Sequence, residues 1–344
     1  MTDNTNKPTN PDRRNVLSKI LVGGTALATG SAFFSNEEQV LAEKLAEDVK
    51  KDGAKDITVD ALSGASRTHT NWGKLSDLKK PMSKATIKGI EFSRLMMGGN
   101  LIGGWAHSRD LMYVSELVKA YHTRDKIIAT FKMAEACGIN TYNGHNSHIG
   151  FLNDYWEHED GSLHFIADCD SIDIAKSVID KGATACYHHG GVADRLVANG
   201  QVDVLGKFVE AIRKEDVPVG IGGHKLETIS KCVEAGIEPD FWMKTIHSGN
   251  YWSRMSDKPE HGNVFCWEPE KTVEFMNSLK QPWIGFKVLV AGAIHPKNGF
   301  RFALESGADF MCVGMYDFQI VDDVNIYMDV LQSKIERTRP WCFT

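Results

Sequence analysis

With 344 residues and 42% hydrophobic side chains, the chain can bury a large core, as one big domain or as two of ordinary size. A net charge of -6 and the lack of any Lys- or Arg-rich run argue against nucleic acid as a partner. The seven cysteines occur singly with no C-x-x-C spacing, which argues against a disulfide framework or a cysteine metal centre.

The chain opens with a polar stretch, TDNTNKPTNPDRR, whose Arg13-Arg14 pair precedes the weakly apolar NVLSKILVGGTALATGSAFF. This resembles a twin-arginine export signal through the arginine pair, Leu17, Lys19 and the Gly- and Ala-containing run, while Asp12 and Val16 depart from the pattern. The resemblance implies a signal segment over residues 1–35, the twin-arginine export machinery as a partner, and a periplasmic or exported protein. An uncleaved N-terminal anchor is the alternative, although the run is shorter than the roughly 20 apolar residues of a membrane span. Cargo of this pathway folds in a reducing cytosol, which suits Cys169, Cys186 and Cys312 as small buried hydrophobes in predicted strands.

Residues 36–85 read as a helical or irregular arm. Leu41, Leu45 and Val49 recur at four-residue spacing and predict a short amphipathic helix over Glu37 to Lys51; the polar remainder carries no chemistry. From Lys84 the pattern changes to strands and helices. KATIKG and IEFSRLMMGGN predict a hairpin that feeds a first strand. The helix RDKIIATFKMAEACG leads to a second strand, GINTYNGHN, and LHFIADCD, TACYHHGG and VPVGIGGH give the third, fourth and fifth. The helices SIDIAKSVIDKG, LGKFVEAIRKED and KLETISKCVEAG follow these three in turn. PDFWMKTIH, PWIGFKVLV and ADFMCVGMYDF complete a count of eight strands. Eight strand-helix units in about 250 residues match a closed (β/α)8 TIM barrel over 86–344, and no G-x-G-x-x-G turn favours an open doubly wound sheet.

In such a barrel the active site lies at the carboxyl ends of the strands. Those ends carry Asn100, then Asn143 and His145, Asp168 and Asp170, His188 and His189, His224, Lys244 and His247, Lys287, and Asp317; the opposite ends carry nothing comparable. If the glycine-bearing faces point inward, alternation sends Asp168, His188, His224 and Lys287 into the mouth, while Lys244 shares a face with Trp242 and Ile246.

Two mechanisms compete. In the first, Lys244 is a Schiff-base nucleophile whose pKa is lowered by desolvation and by the cation Lys287, with Asp168 moving protons. In the second, Asp168, His188, His224 and His247 hold a divalent metal, Zn, Mn or Fe, that polarises a carbonyl or activates water. Asn100, Asn143, His145, His189 and Trp252 are candidate substrate contacts, and Gly292 and Gly314 could close a phosphate cup. A third reading, a non-catalytic barrel that binds a sugar or a partner protein, needs none of these roles.

The last third of the chain resembles the class I deoxyribose-phosphate aldolases. Phe241, Lys244 and Thr245 match their sixth-strand lysine motif, and Lys287, Ala291, Gly292 and Ile294 match the seventh; Ile246-His247-Ser248-Gly249 departs from the family's run. The resemblance implies lyase or isomerase chemistry on a small carbonyl-bearing or sugar-like substrate. Nearer the amino end, IEFSRLMMGGNLIGG and MAEACGINTYNGHN resemble the opening of an aldo-keto reductase. Asn143 stands where that family has its catalytic Asp, and its Tyr and Lys have no counterpart, so the barrel is expected without NAD(P). As a whole the chain also resembles exported bacterial TIM-barrel proteins.

Overall fold

The computed structural model describes residues 72–106, 108, 111–251, 253–254 and 263–343. The signal segment, the expected helix over Glu37 to Lys51, the arm as far as residue 71 and Trp252 lie outside the described residues.

The predicted barrel forms. Its eight parallel strands are β3 (Leu95–Gly98), β4 (Thr141–His145), β5 (His164–Cys169), β6 (Ala185–His188), β7 (Val219–Gly223), β8 (Phe241–Thr245), β9 (Trp283–Phe286) and β10 (Phe310–Val313). They lie side by side in chain order, and β10 pairs back onto β3. Each strand is covered on both faces, which is why each reads in the sequence as a nearly continuous apolar run. Register sets the rim: Asn143 lies beside Gly98, His145 beside Asp168, Cys169 beside His188, and Gly223 beside Lys244.

The hairpin is β1 (Lys84–Ile87) and β2 (Ile90–Ser93), joined at Lys88 and Gly89. Both turn residues have positive φ, 49° and 75°, as a two-residue hairpin turn of the right twist requires. The hairpin plugs the amino end of the barrel: Ala85, Ile87 and Phe92 pack on an inner layer of Met96, Ile166, Ala185, Phe241, Ile284 and Phe310. A second core lies between strands and helices and includes Trp242, Trp283, Phe131 and Phe300. Inward and outward residues thus alternate strictly along β8: Phe241 and Met243 face in, Trp242 and Ile246 face out.

The helices are α1 (Tyr113–Tyr121) and α2 (Arg124–Ala136) after β3, α3 (Ile149–His158), α4 (Ile172–Ile179), α5 (Gly190–Ala198) and α6 (Val202–Ile212) after β6, α7 (Leu226–Glu234), α8 (Pro269–Asn277), α9 (Pro296–Glu305) and α10 (Ile320–Gln332). One helix was expected after the fourth strand, and two form there. Helix-poor Gly190 and Gly191 open the first of them. The described end of the arm, residues 72–83, runs along α10: Asn325 accepts from the Lys79 N–H at 2.8 Å and donates to Asp77 O at 2.9 Å. The compact unit accordingly spans 71–344.

One expectation is corrected at the amino ends of the strands, which do carry a charged cluster. Asp309, fully buried before β10, meets Arg337 and Arg339, each at 3.2 Å. Its oxygens also accept from the N–H groups of Trp283 and Cys342 at 3.1 and 3.0 Å. Arg94 and Arg337 stack on Trp341, so the C-terminal tail seals this end.

Candidate active site

The carboxyl ends of the strands enclose a cavity of about 890 Å³. Of the residues singled out above, Asn100, Asn143, His145, Asp168, His189, His224, Lys287, Gly292 and Gly314 line it. Tyr187, Met243, Phe286 and Cys312 join them, and Trp105 lies against His145 with ring centroids 4.7 Å apart.

Lys287 is the only lysine among the described lining residues. Gly285, two residues before it on β9, faces the helices, so plain alternation would send Lys287 outward too. It reaches the cavity because its backbone is left-handed, φ 59°, a conformation that costs a non-glycine residue roughly 1 kcal/mol or more. Its amine lies 4.4 Å from the centre of the Phe265 ring, and burial pulls its pKa down to about 8. Asp168 is half-buried near the end of β5, and desolvation raises its pKa against the pull of His189 and His145. Its Oδ1 has no hydrogen-bond partner among the described residues.

His224 carries a partner that sequence reading missed. Asp194, on α5, accepts a hydrogen bond from His224 Nδ1 at 3.0 Å and further bonds from the His224 and Lys225 N–H groups and the Thr228 hydroxyl. The carboxylate fixes the proton on Nδ1 and leaves Nε2 as the free lone pair of a ring that lines the cavity. These donors hold the Asp194 pKa below the usual range although burial opposes them. A lone acid within GGVADRLVA reads as a solvated helix face, so nothing but the fold could pair it with His224.

Three other candidates do not line the cavity. Lys244 is 1% exposed and sits on the outer face of β8, where its Nζ donates to His224 O at 2.6 Å and Thr245 O at 2.9 Å. It staples the ends of β7 and β8 and does not line the cavity, although burial lowers its pKa to about 8 as well. His188 likewise points outward against Phe208, centroids 4.9 Å apart, because Tyr187 is the inward residue of that pair. The glycine argument failed there: on β6 the inward set is Ala185 and Tyr187. His247 uses both ring nitrogens, Nδ1 donating to Ser248 O and Nε2 accepting from the N–H groups of Phe265 and Cys266. It thereby fixes Phe265 over Lys287. Burial keeps His188 and His247 neutral, with pKa values near 4.

The four residues proposed as metal ligands are therefore not brought together: Asp168 and His224 line the cavity, His188 packs against Phe208, and His247 is tied to the loop after β8. Among the described residues no group of three or more His, Cys, Asp or Glu side chains is placed to hold a metal ion. Asp317, at the end of the eighth strand, is engaged by Lys126 at 2.9 Å and by the Tyr121 hydroxyl.

No protein-family model and no curated protein matches the chain. Solved structures do match. An aldo-keto reductase-like protein from Pseudomonas aeruginosa has a TM-score of 0.51 at 12% identity, over 74% of this chain and 99% of that one. A phospho-2-dehydro-3-deoxyheptonate aldolase from Thermotoga maritima has a TM-score of 0.45 at 11% identity, over 88% and 97%. A dihydropteroate synthase from Xanthomonas albilineans reaches 0.41 at 12% identity, over 74% and 100%. At 12% identity the first of these likenesses is one of fold, and it agrees with the closed (β/α)8 barrel described above.

Proposed function

We propose that the protein is an enzyme acting on a small carbonyl-bearing or sugar-like substrate, by lyase or isomerase chemistry through an imine on Lys287. The observation that carries this reading is the amine itself: one lysine turned into the mouth by a left-handed backbone, its pKa held near 8. A desolvated lysine presents enough neutral amine near neutral pH to attack a carbonyl carbon. The oxygen leaves as water after protonation, and the resulting iminium withdraws electrons from the neighbouring carbon. A C–C bond or C–H bond there can then break.

Asp168, which lines the cavity and whose pKa desolvation raises, suits delivery of a proton to the departing oxygen. His224, oriented by Asp194, suits removal of a proton from the substrate. Lys244 takes no chemical role in this scheme: it holds the His224 carbonyl. The aldolase resemblance of the last third thus supports the class of chemistry while the nucleophile moves by one strand.

The reading includes export by the twin-arginine machinery on the strength of Arg13-Arg14 and the apolar run behind them, which places the substrate outside the cytosol. The test is turnover or imine trapping with glyceraldehyde, dihydroxyacetone and pyruvate. Lys287→Met should keep the fold, read by circular dichroism, and lose the reaction by a factor on the order of 10⁴. An intact reaction in Lys287→Met refutes the proposal, and no reaction in the wild-type chain favours a non-catalytic binding barrel.

A further inference from the structure

The side of the mouth formed by β9, β10 and α10 is chemically unlike the rest. Leu289, Val290, Ile294 and Val313 line it with Tyr316 and Gln319, and its one acid is Asp323. That side chain is 5% exposed, and among the described residues its carboxylate has neither a hydrogen-bond nor an ion-pair partner. Burial and the adjacent Asp322 push its pKa up to about 7. A carboxylate in this setting is costly unless something that enters the cavity donates to it.

This is also the place where many (β/α)8 barrels bind phosphate, between the last two strand loops and a helix N-terminus. Here the first turn of α10 already contains Asp322 and Asp323. Asp322 is engaged by the Gly73 N–H at 3.1 Å, which leaves Asp323 facing the cavity. Two carboxylates on that turn repel a phosphate. Gly292 and Gly314 do line this side, but Gly292 is required by its backbone, φ +89°, with open space where a Cβ would be.

We infer that this side of the mouth is a subsite for a protonated amine, with Asp323 as its anchor, and that the substrate is an ammonium-bearing, unphosphorylated compound. The inference rests on reading the mouth as a substrate site; it is independent of the chemistry assigned to Lys287. An ammonium replaces the missing donor, and the apolar side chains accept the carbons that bear it.

The test uses three probes with one tail, butylammonium, 1-butanol and butyl phosphate, titrated at pH 8 into the full chain by calorimetry. Butylammonium should bind at least about tenfold more tightly than the other two, the worth of one charge-assisted hydrogen bond. Asp323→Asn, nearly isosteric, should erase that preference with an unchanged circular dichroism spectrum. Lys287→Met should retain it, so a failed imine test would leave this subsite standing. Butyl phosphate binding as well as butylammonium, no binding of butylammonium, or a preference that survives Asp323→Asn would each overturn the inference.

Discussion

The two ends of the barrel each bury an acid, and they treat it in opposite ways. Below the strands, Asp309 is met by two arginines and two backbone N–H groups, and the cluster is complete within the chain. At the mouth, Asp323 has no partner among the described residues and Asp168 leaves one oxygen unsatisfied. Burial raises all three carboxyls, yet only at the sealed end does the protein supply the compensating donors itself. Asp309 is held within the structure; Asp323 and Asp168 keep capacity for something that binds.

Breaking the sealed end should cost most. Arg339→Ala leaves Asp309 buried with half its cations, and unfolding in urea should show a loss of about 3 to 5 kcal/mol. A loss of less than about 1 kcal/mol would show that the cluster is not what secures this end. At the mouth, Asp194→Asn releases the His224 tautomer and should lower any turnover by about a hundredfold. The loss should fall on kcat with KM and stability in urea little changed, whereas a purely structural Asp194 would show itself as lost stability.

Asp323→Asn should do the reverse of the Arg339 change and stabilise the fold. An acid whose folded pKa is about 7 binds its proton more tightly in the native state than in the unfolded chain, so its ionisation weakens the fold as pH rises. The asparagine variant should therefore be more stable by up to roughly 4 kcal/mol above pH 7, and the gap should close as pH falls toward 4. An equal stability of the two chains at pH 8 would mean that Asp323 has a partner in solution.

The strands were legible because each is buried on both faces, so all eight stood out as apolar runs between turns. Side-chain direction was less so. Period 2 is right within β8, and it would have set Lys244 outside the mouth had Phe241 and Met243 been taken as the inward pair. It fails at Lys287, where a left-handed residue ends the strand, and no local signal in GFKVLVAG marks that turn. Asp194 and Asp323 were missed because an acid on a helix usually faces water. Their roles come from what the fold sets opposite them, His224 in one case and the cavity in the other. All seven cysteines are free; Cys169 and Cys186 are buried as the sequence led one to expect, Cys312 is only half-buried and lines the cavity, and Cys342 lies beside Arg339.

The account turns on which lysine meets the substrate. The direct measurement is borohydride reduction of the wild-type chain with glyceraldehyde, followed by peptide mass mapping at pH 7 and pH 9. The amine of Lys287 should carry the reduced adduct at one per chain, with faster labelling at pH 9 as the remaining ammonium loses its proton above about 8. An adduct on Lys244, or labelling spread over exposed lysines with Lys287 untouched, would contradict it.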